Sequence, residues 1–218
     1  VIELSAALGV LVIALGMVLT PGPNMIYLAS RAISQGRRAG LVSLGGTAVG
    51  FLCYLVAATA GLSALFVAVP AAYTTVKIAG ALYLAWLAWS MLRPGGRSPF
   101  EPRPLEPESD ARLFGMGLIT NLLNPKIALM YAALLPQFVT PADGALATPP
   151  VQSQLLQLGS VQIGVAVLVN GVIVVTAASV SGFLAARPRV MTVQRWVAGT
   201  VLGGFAVRTA FSPAPTTP

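Results

Sequence analysis

Two short stretches concentrate the residues able to hold a small polar molecule. Thr20-Pro21-Gly22-Pro23-Asn24 interrupts one apolar run, and Asn121-Leu122-Leu123-Asn124-Pro125-Lys126 interrupts another. Two prolines around a glycine cannot keep regular helical hydrogen bonding, so a helix carrying Pro21, Gly22 and Pro23 must break there. The break leaves C=O groups at the end of one half-helix and N–H groups at the start of the next, and in hydrocarbon both sets need partners. A substrate carboxylate at the half-helix N-terminus is one such partner, favoured by hydrogen bonds and by the dipole. A neighbouring helix packed over a simple proline kink is the other. Lys126 lies deep within its run, roughly 20 Å from the start at about 1.5 Å per residue; ionisable groups at such depth usually face a cavity or pathway, and a lysine reaching outward is the alternative. Asn24, Asn121 and Asn124 both donate and accept, which suits an amino or hydroxyl group, although interhelical bonding is their alternative use. Asn170, the remaining asparagine, stands alone in a later run and is the weakest candidate of the four.

These residues must be positioned by helices in a bilayer. The chain has 218 residues, of which 56% are hydrophobic and 9% charged, with a mean hydropathy of +0.82. An ordinary soluble domain carries about 25% charged residues. At about 20 apolar residues per crossing, the chain has room for membrane helices and little else, which excludes an extramembrane catalytic domain. The apolar runs predict six spans, near residues 4–30, 41–67, 75–92, 113–135, 155–184 and 197–211. They are too long, and lack the alternation, for barrel strands. The first run has no basic segment before it and exceeds signal-peptide length, so it reads as a retained span.

Histidine is absent and the six acids all lie at the terminus or in polar segments. Soft-metal sites, histidine catalysis and an intramembrane carboxylate pair are therefore not expected, and neither an enzyme nor a cofactor is predicted. Cys53 has no partner for an internal disulfide and reads as a small buried hydrophobe. The net charge of +7 is scattered over short segments rather than stacked on one face, so it points to membrane orientation and not to nucleic acid.

Ten of the 13 basic residues fall in three segments: Arg31, Arg37 and Arg38; Arg93, Arg97, Arg103 and Arg112; Arg187, Arg189 and Arg195. The positive-inside rule makes these cytoplasmic and puts both termini outside. Lys77 and Arg208, near outer ends, run mildly against this. The Pro-rich stretch 94–112 reads as a solvated linker between a first three-helix repeat, 1–93, and a second, 113–211, with a disordered tail at 212–218. Three spans per half make the halves face opposite ways, the layout of an inverted repeat with spans 1 and 4 broken at proline. Paired interruptions at corresponding positions are the best sequence pointer to a midplane site. Pro70 seven residues before Lys77, and Pro188 seven before Arg195, fit the same duplication. Gly46, Gly50, Gly199 and Gly203 have the small-xxx-small spacing of close helix packing, and Trp86, Trp89 and Trp196 suit an interfacial belt. Gly36-Arg37-Arg38-Ala39-Gly40 reads as a tight basic loop.

Thr20-Pro-Gly-Pro-Asn24, Gly36-Arg-Arg-Ala-Gly40, Lys77-Ile-Ala-Gly-Ala-Leu-Tyr-Leu84, Asn121-Leu-Leu-Asn-Pro-Lys126 and Leu135-Pro-Gln-Phe138, in this order, resemble the lysine exporter family of bacterial amino acid exporters. The resemblance runs from about Leu4 to Arg208, on the branch with homoserine, threonine and leucine exporters. It implies a small multi-pass carrier of the bacterial inner membrane that extrudes amino acids or close derivatives, driven by the proton gradient. The family's broken span 1 matches Pro21, Pro23 and Asn24, and its Asn-Pro-Lys matches Asn124, Pro125 and Lys126. Members exporting lysine and arginine usually show Gly-Pro-Gln-Asn at the first break, so Pro-Gly-Pro-Asn favours a neutral substrate. Many relatives carry Asp where this chain has Asn24, which leaves Lys126, the substrate amine or a water chain as the proton carrier. The expected partners are an amino acid, the proton and the lipid bilayer, with monomer and homodimer both open. A channel or translocator for another small molecule or lipid is the alternative function.

Overall fold

The computed structural model describes residues 2–61, 70–96, 98, 101, 105–139 and 150–211, and every regular element among them is helical. The expectations for Arg97, Arg103, the prolines at 99, 102 and 104 and the tail 212–218 fall outside the described residues, as do the side chains of Lys77 and Arg208.

Helix α1 spans Leu4–Leu19 and ends at Thr20 in extended backbone, the conformation a following proline imposes. Thr20 turns both its N–H and its Oγ1 back to the Gly16 carbonyl, at 3.2 and 2.7 Å. Helix α2 covers Pro23–Thr59, with Pro23 in its first turn, where the missing N–H costs nothing. Within α2, Gly36 has φ 89° and ψ 170°, outside helical geometry. The chain reverses there: Tyr27 Oη lies 3.1 Å from Ser43 Oγ, groups that a continuous helix would hold roughly 24 Å apart. Only glycine takes that φ without strain. α2 is thus a helical hairpin with arms 23–35 and 37–59, and the expected tight basic loop shrinks to one residue, with Arg37 and Arg38 exposed and Ala39 and Gly40 buried.

Helix α3 covers Pro70–Leu92. Helix α4, Asp110–Leu122, begins three residues before the expected span because Ser109 caps it, accepting from the Arg112 N–H at 3.3 Å. Helix α5 starts at Pro125–Leu129, widens through Met130–Leu134 and tightens over Leu135–Phe138. The cause of the widening is Pro136, which has no N–H and whose ring would strike the carbonyl four residues back. Helices α6, Val151–Ala185, and α7, Pro188–Phe211, complete the chain.

Arm 37–59 lies against α4 through a seam of small residues. A side chain at Gly46 would overlap the Phe114 carbonyl, and one at Gly117 the Ser43 carbonyl, so the expected close packing at Gly46 and Gly50 is present. α3 packs on α7 around Leu84, Leu87, Met91, Ala198 and Leu202, with Gly199 against Leu92. The main core joins α1, arm 37–59, α5 and α6 through Val10, Phe51, Leu55, Met130, Tyr131, Leu135 and Leu158. Large apolar side chains face outward on most helices, among them Leu8, Val12, Leu52, Val56, Leu168 and Val172. Trp86, Trp89 and Trp196 are exposed as well.

Cys53 corrects the sequence reading: it is exposed, not buried. An apolar run marks contact with apolar surroundings, and on a helix of this kind the outward face meets the same requirement as the inward one. By length and composition, Pro23–Thr59 and Val151–Ala177 qualify as membrane spans, and the pair Asp110–Leu122 and Pro125–Phe138, bent by 49°, counts as a third. The reversal at Gly36 leaves arm 37–59, about 34 Å long, as the crossing part of the first of these.

The three Arg-bearing segments meet at one end. Arg38 pairs with Asp110 at 2.6 Å, Gln35 donates to the Glu106 carbonyl at 2.6 Å, Arg195 donates to the Gly96 carbonyl, and Ser98 to Gln194 at 2.5 Å.

Candidate functional site

The breaks between α1 and α2 and between α4 and α5 face one another across a buried cavity of about 30 Å³. One water needs roughly 10–15 Å³ on this scale, so in this state the cavity holds a water or two, not an amino acid. Gly22, Asn24, Asn124, Lys126, Gln162 and Asn170 provide its polar wall, and Ala14, Val18, Phe51, Met130 and Ala166 part of its apolar wall.

Each end of each break has a distinct fate. Lys126, 8% exposed, reaches across to the C-terminus of α1 and donates from Nζ to the carbonyls of Met17 at 2.6 Å and Thr20 at 2.9 Å. The positive charge complements both those carbonyls and the negative end of the helix dipole. Gly22 makes room for it, since a Cβ there would lie 3.0 Å from Nζ. One N–H of the ammonium is left over. The C-terminus of α4 is closed by Tyr54, whose hydroxyl donates to the Leu122 carbonyl at 2.7 Å. At the start of α5, the Asn124 side chain caps the Lys126 N–H at 3.1 Å. The start of α2 has no such cap: Gly22 offers no side chain, and Ile26 is the first residue whose N–H returns to the turn. Asn24 and Met25, both on the cavity wall, follow this uncapped end.

The buried oxygens Asn24 Oδ1 and Asn170 Oδ1 find no hydrogen-bond partner. Buried polar groups in folded proteins are almost always paired, so these two, on one cavity, mark a place for a donor. Asn170 uses its other end, donating to the Ala166 carbonyl at 2.7 Å.

Of the residues singled out in the sequence, Gly22, Asn24, Asn124 and Lys126 converge on the cavity. Pro21, Pro23 and Pro125 set the breaks without lining it. Asn121 does not join them: it is fully buried against Gly50, where a Cβ would lie 2.7 Å from its own, and neither amide atom has a partner. Asn170, ranked weakest, lines the cavity, and Gln162 was not singled out at all. The signal for both was a stripe on α6, Gln162, Ala166 and Asn170, spaced at four residues in an apolar run and so stacked on one face. Among the described residues no cluster of three or more His, Cys, Asp or Glu could hold a metal ion.

The chain is 34% identical over 129 residues to the homoserine/homoserine lactone efflux protein of Salmonella typhimurium, covering 59% of this chain and 62% of that protein. It is 27% identical over 205 residues to the leucine efflux protein of Klebsiella pneumoniae, covering 92% of each. It is 27% identical over 124 residues to the threonine efflux protein of Escherichia coli, covering 56% of this chain and 60% of that protein. The match thus spans under two thirds of the homoserine and threonine relatives. No solved structure matches the chain significantly. The LysE type translocator family matches residues 15–212, a stretch that takes in both helix breaks and every residue of the cavity wall except Ala14, and the chain belongs to that family.

Proposed function

We propose that this protein exports amino acids, of the neutral homoserine, threonine or leucine kind or close derivatives, across the bacterial inner membrane, driven by the proton gradient. The observation that carries the reading is the meeting, in one buried cavity, of an uncapped helix N-terminus and two unpartnered amide oxygens. A zwitterion matches that arrangement. Its carboxylate faces the start of α2 and the remaining N–H of Lys126, and its ammonium faces Asn24 and Asn170. Among the described residues no acid lines the cavity, so a cationic side chain meets no counter-charge from them, and burying it unpaired is costly. The names of the relatives point the same way.

Six crossings in two inverted halves, 1–93 and 113–211, joined by the linker 94–112, account for the architecture: α1 with arm 23–35, arm 37–59 and α3, then α4 with α5, α6 and α7. The packing runs in symmetry-related pairs, arm 37–59 on α4 as α6 on α1, with the corresponding helices α3 and α7 packed on each other, which supports a two-fold axis in the membrane plane. The contacts joining the three Arg-bearing segments support a single cytoplasmic end and external termini. Alternating access then opens the closed cavity by moving one broken helix against the other.

The test is efflux from cells overexpressing the protein and loaded with mixed dipeptides, with every external amino acid followed with and without an uncoupler. Selective, saturable, uncoupler-sensitive release of neutral amino acids is expected. Unsaturable release insensitive to the uncoupler would make the protein a channel.

A further inference from the structure

The polar wall contains an amide that neither meets the zwitterion nor caps a helix. Gln162, 4% exposed, lines the cavity on α6, and its Oε1 is taken by the Tyr131 hydroxyl at 2.6 Å. The amide nitrogen has no protein partner among the described residues. Tyr131 is itself fully buried and stacked on Tyr54 at 5.7 Å between ring centroids. It belongs to the widened turn Met130–Leu134, a distortion that recurs at functional sites because it re-aims side chains. With its oxygen fixed by Tyr131, Gln162 presents N–H donors, not an acceptor, to the cavity.

Resting on the transport reading above, we propose that Gln162, oriented by Tyr131, determines specificity by donating to an oxygen near the end of a straight substrate side chain. Eight residues of α6 separate Asn170 from Gln162, an axial distance of about 12 Å. Once the cavity widens to admit substrate, two turns of one helix face separate the amide that meets the ammonium from the amide that meets the far end of the side chain. A straight-chain amino acid with an oxygen on Cγ or further out carries that oxygen away from its ammonium toward Gln162. A β-hydroxyl, on the carbon next to Cα, falls short. Phe51 and Met130, on the same wall, suit the methylenes between. Gln162 acts as the binding residue and Tyr131 as a positioning residue.

Homoserine and norvaline test this, since they differ by a terminal hydroxyl in place of a methyl. The full chain, reconstituted in proteoliposomes loaded with equal amounts of the two, should release homoserine at least tenfold faster. A site built to hydrogen-bond a hydroxyl rejects the analogue lacking it strongly, whereas an apolar pocket separates such isosteres by only about a hundredfold at best, and in favour of the methyl. Gln162→Met should bring the homoserine-to-norvaline ratio to one or below, and Tyr131→Phe should lower it several-fold. Equal release of both by the unmutated protein overturns the inference even where the variants do not fold. An unchanged ratio in a folded Gln162→Met variant does so as well. Absence of any amino acid release would instead sink the transport reading itself.

Discussion

Replacing Lys126 by methionine removes one ammonium while keeping nearly the whole length of its apolar stem. Two carbonyls at the end of α1 then lose their donors, those of Met17 and Thr20 at 2.6 and 2.9 Å. A hydrogen bond to a charged group contributes about 1.5–3 kcal/mol, and part of the loss is offset because a buried charge no longer has to be desolvated. A net destabilisation of about 2–4 kcal/mol follows, and at about 2–4 °C per kcal/mol for a chain of this size the melting temperature in mild detergent should fall by roughly 5–15 °C. Efflux should fall further than stability, because the same ammonium supplies the charge proposed to meet the substrate carboxylate. Gly22→Ala probes the same contact from the other side. Its Cβ would lie 3.0 Å from Nζ and 3.3 Å from Cε, so the lysine must shift by a few tenths of an ångström, a smaller loss of about 1 kcal/mol. In the Lys126→Met background that loss should shrink, since residues in contact do not add. Thermal unfolding of the two single variants and the double, together with efflux at matched membrane abundance, measures all three. Wild-type melting and wild-type export by Lys126→Met would refute both the helix-capping and the substrate role.

Four other outcomes follow from the packing and the site. Asn24→Ala should abolish most efflux while leaving the melting temperature close to wild type, because its Oδ1 makes no bond in the closed protein; equal efflux would remove it from the site. Gly46→Ala should destabilise by about 1–3 kcal/mol, since its side chain strikes the Phe114 backbone, whereas Gly16→Ala, with open space around it, should be neutral or stabilising by up to about 1 kcal/mol. Tyr54→Phe should cost about 0.5–1.5 kcal/mol by removing the hydrogen bond to the Leu122 carbonyl, read as a lower melting temperature. In a Cys53→Ser background, a charged thiol reagent applied to intact cells should label Ala60→Cys but label Arg37→Cys only after permeabilisation; the reverse pattern would invert the proposed orientation.

How much of the site was legible in the residues varies with the range of the forces involved. Proline lacks an N–H and fits a helix only in its first turn, so the breaks at Pro21–Pro23 and at Pro125 could be read from local chemistry, as could the depth of Lys126. Asn24, Asn124 and Lys126 stand beside those breaks in the sequence, and the structure brings all three onto the cavity wall. Asn121 stands as near a break as the others, but its neighbour is Gly50, about seventy residues away in sequence, and the seam between arm 37–59 and α4 turns it from the cavity. Cys53 was misjudged because an apolar run has the same composition whether it faces lipid or protein. Gln162 went unnoticed because a single amide in an apolar span shows its use only beside Tyr131.

By itself the sequence determined that the chain is helical and membrane-bound, that two of its helices are broken, and that one cation lies deep among asparagines. These follow from transfer free energies and from proline, both properties of the residues themselves. Tertiary structure alone decided which broken end receives the lysine, which asparagine oxygens stay unpaired and which face of α6 closes the cavity. Those depend on side chains from distant segments arriving within hydrogen-bond reach, at distances around 3 Å, and no local pattern encodes that arrival.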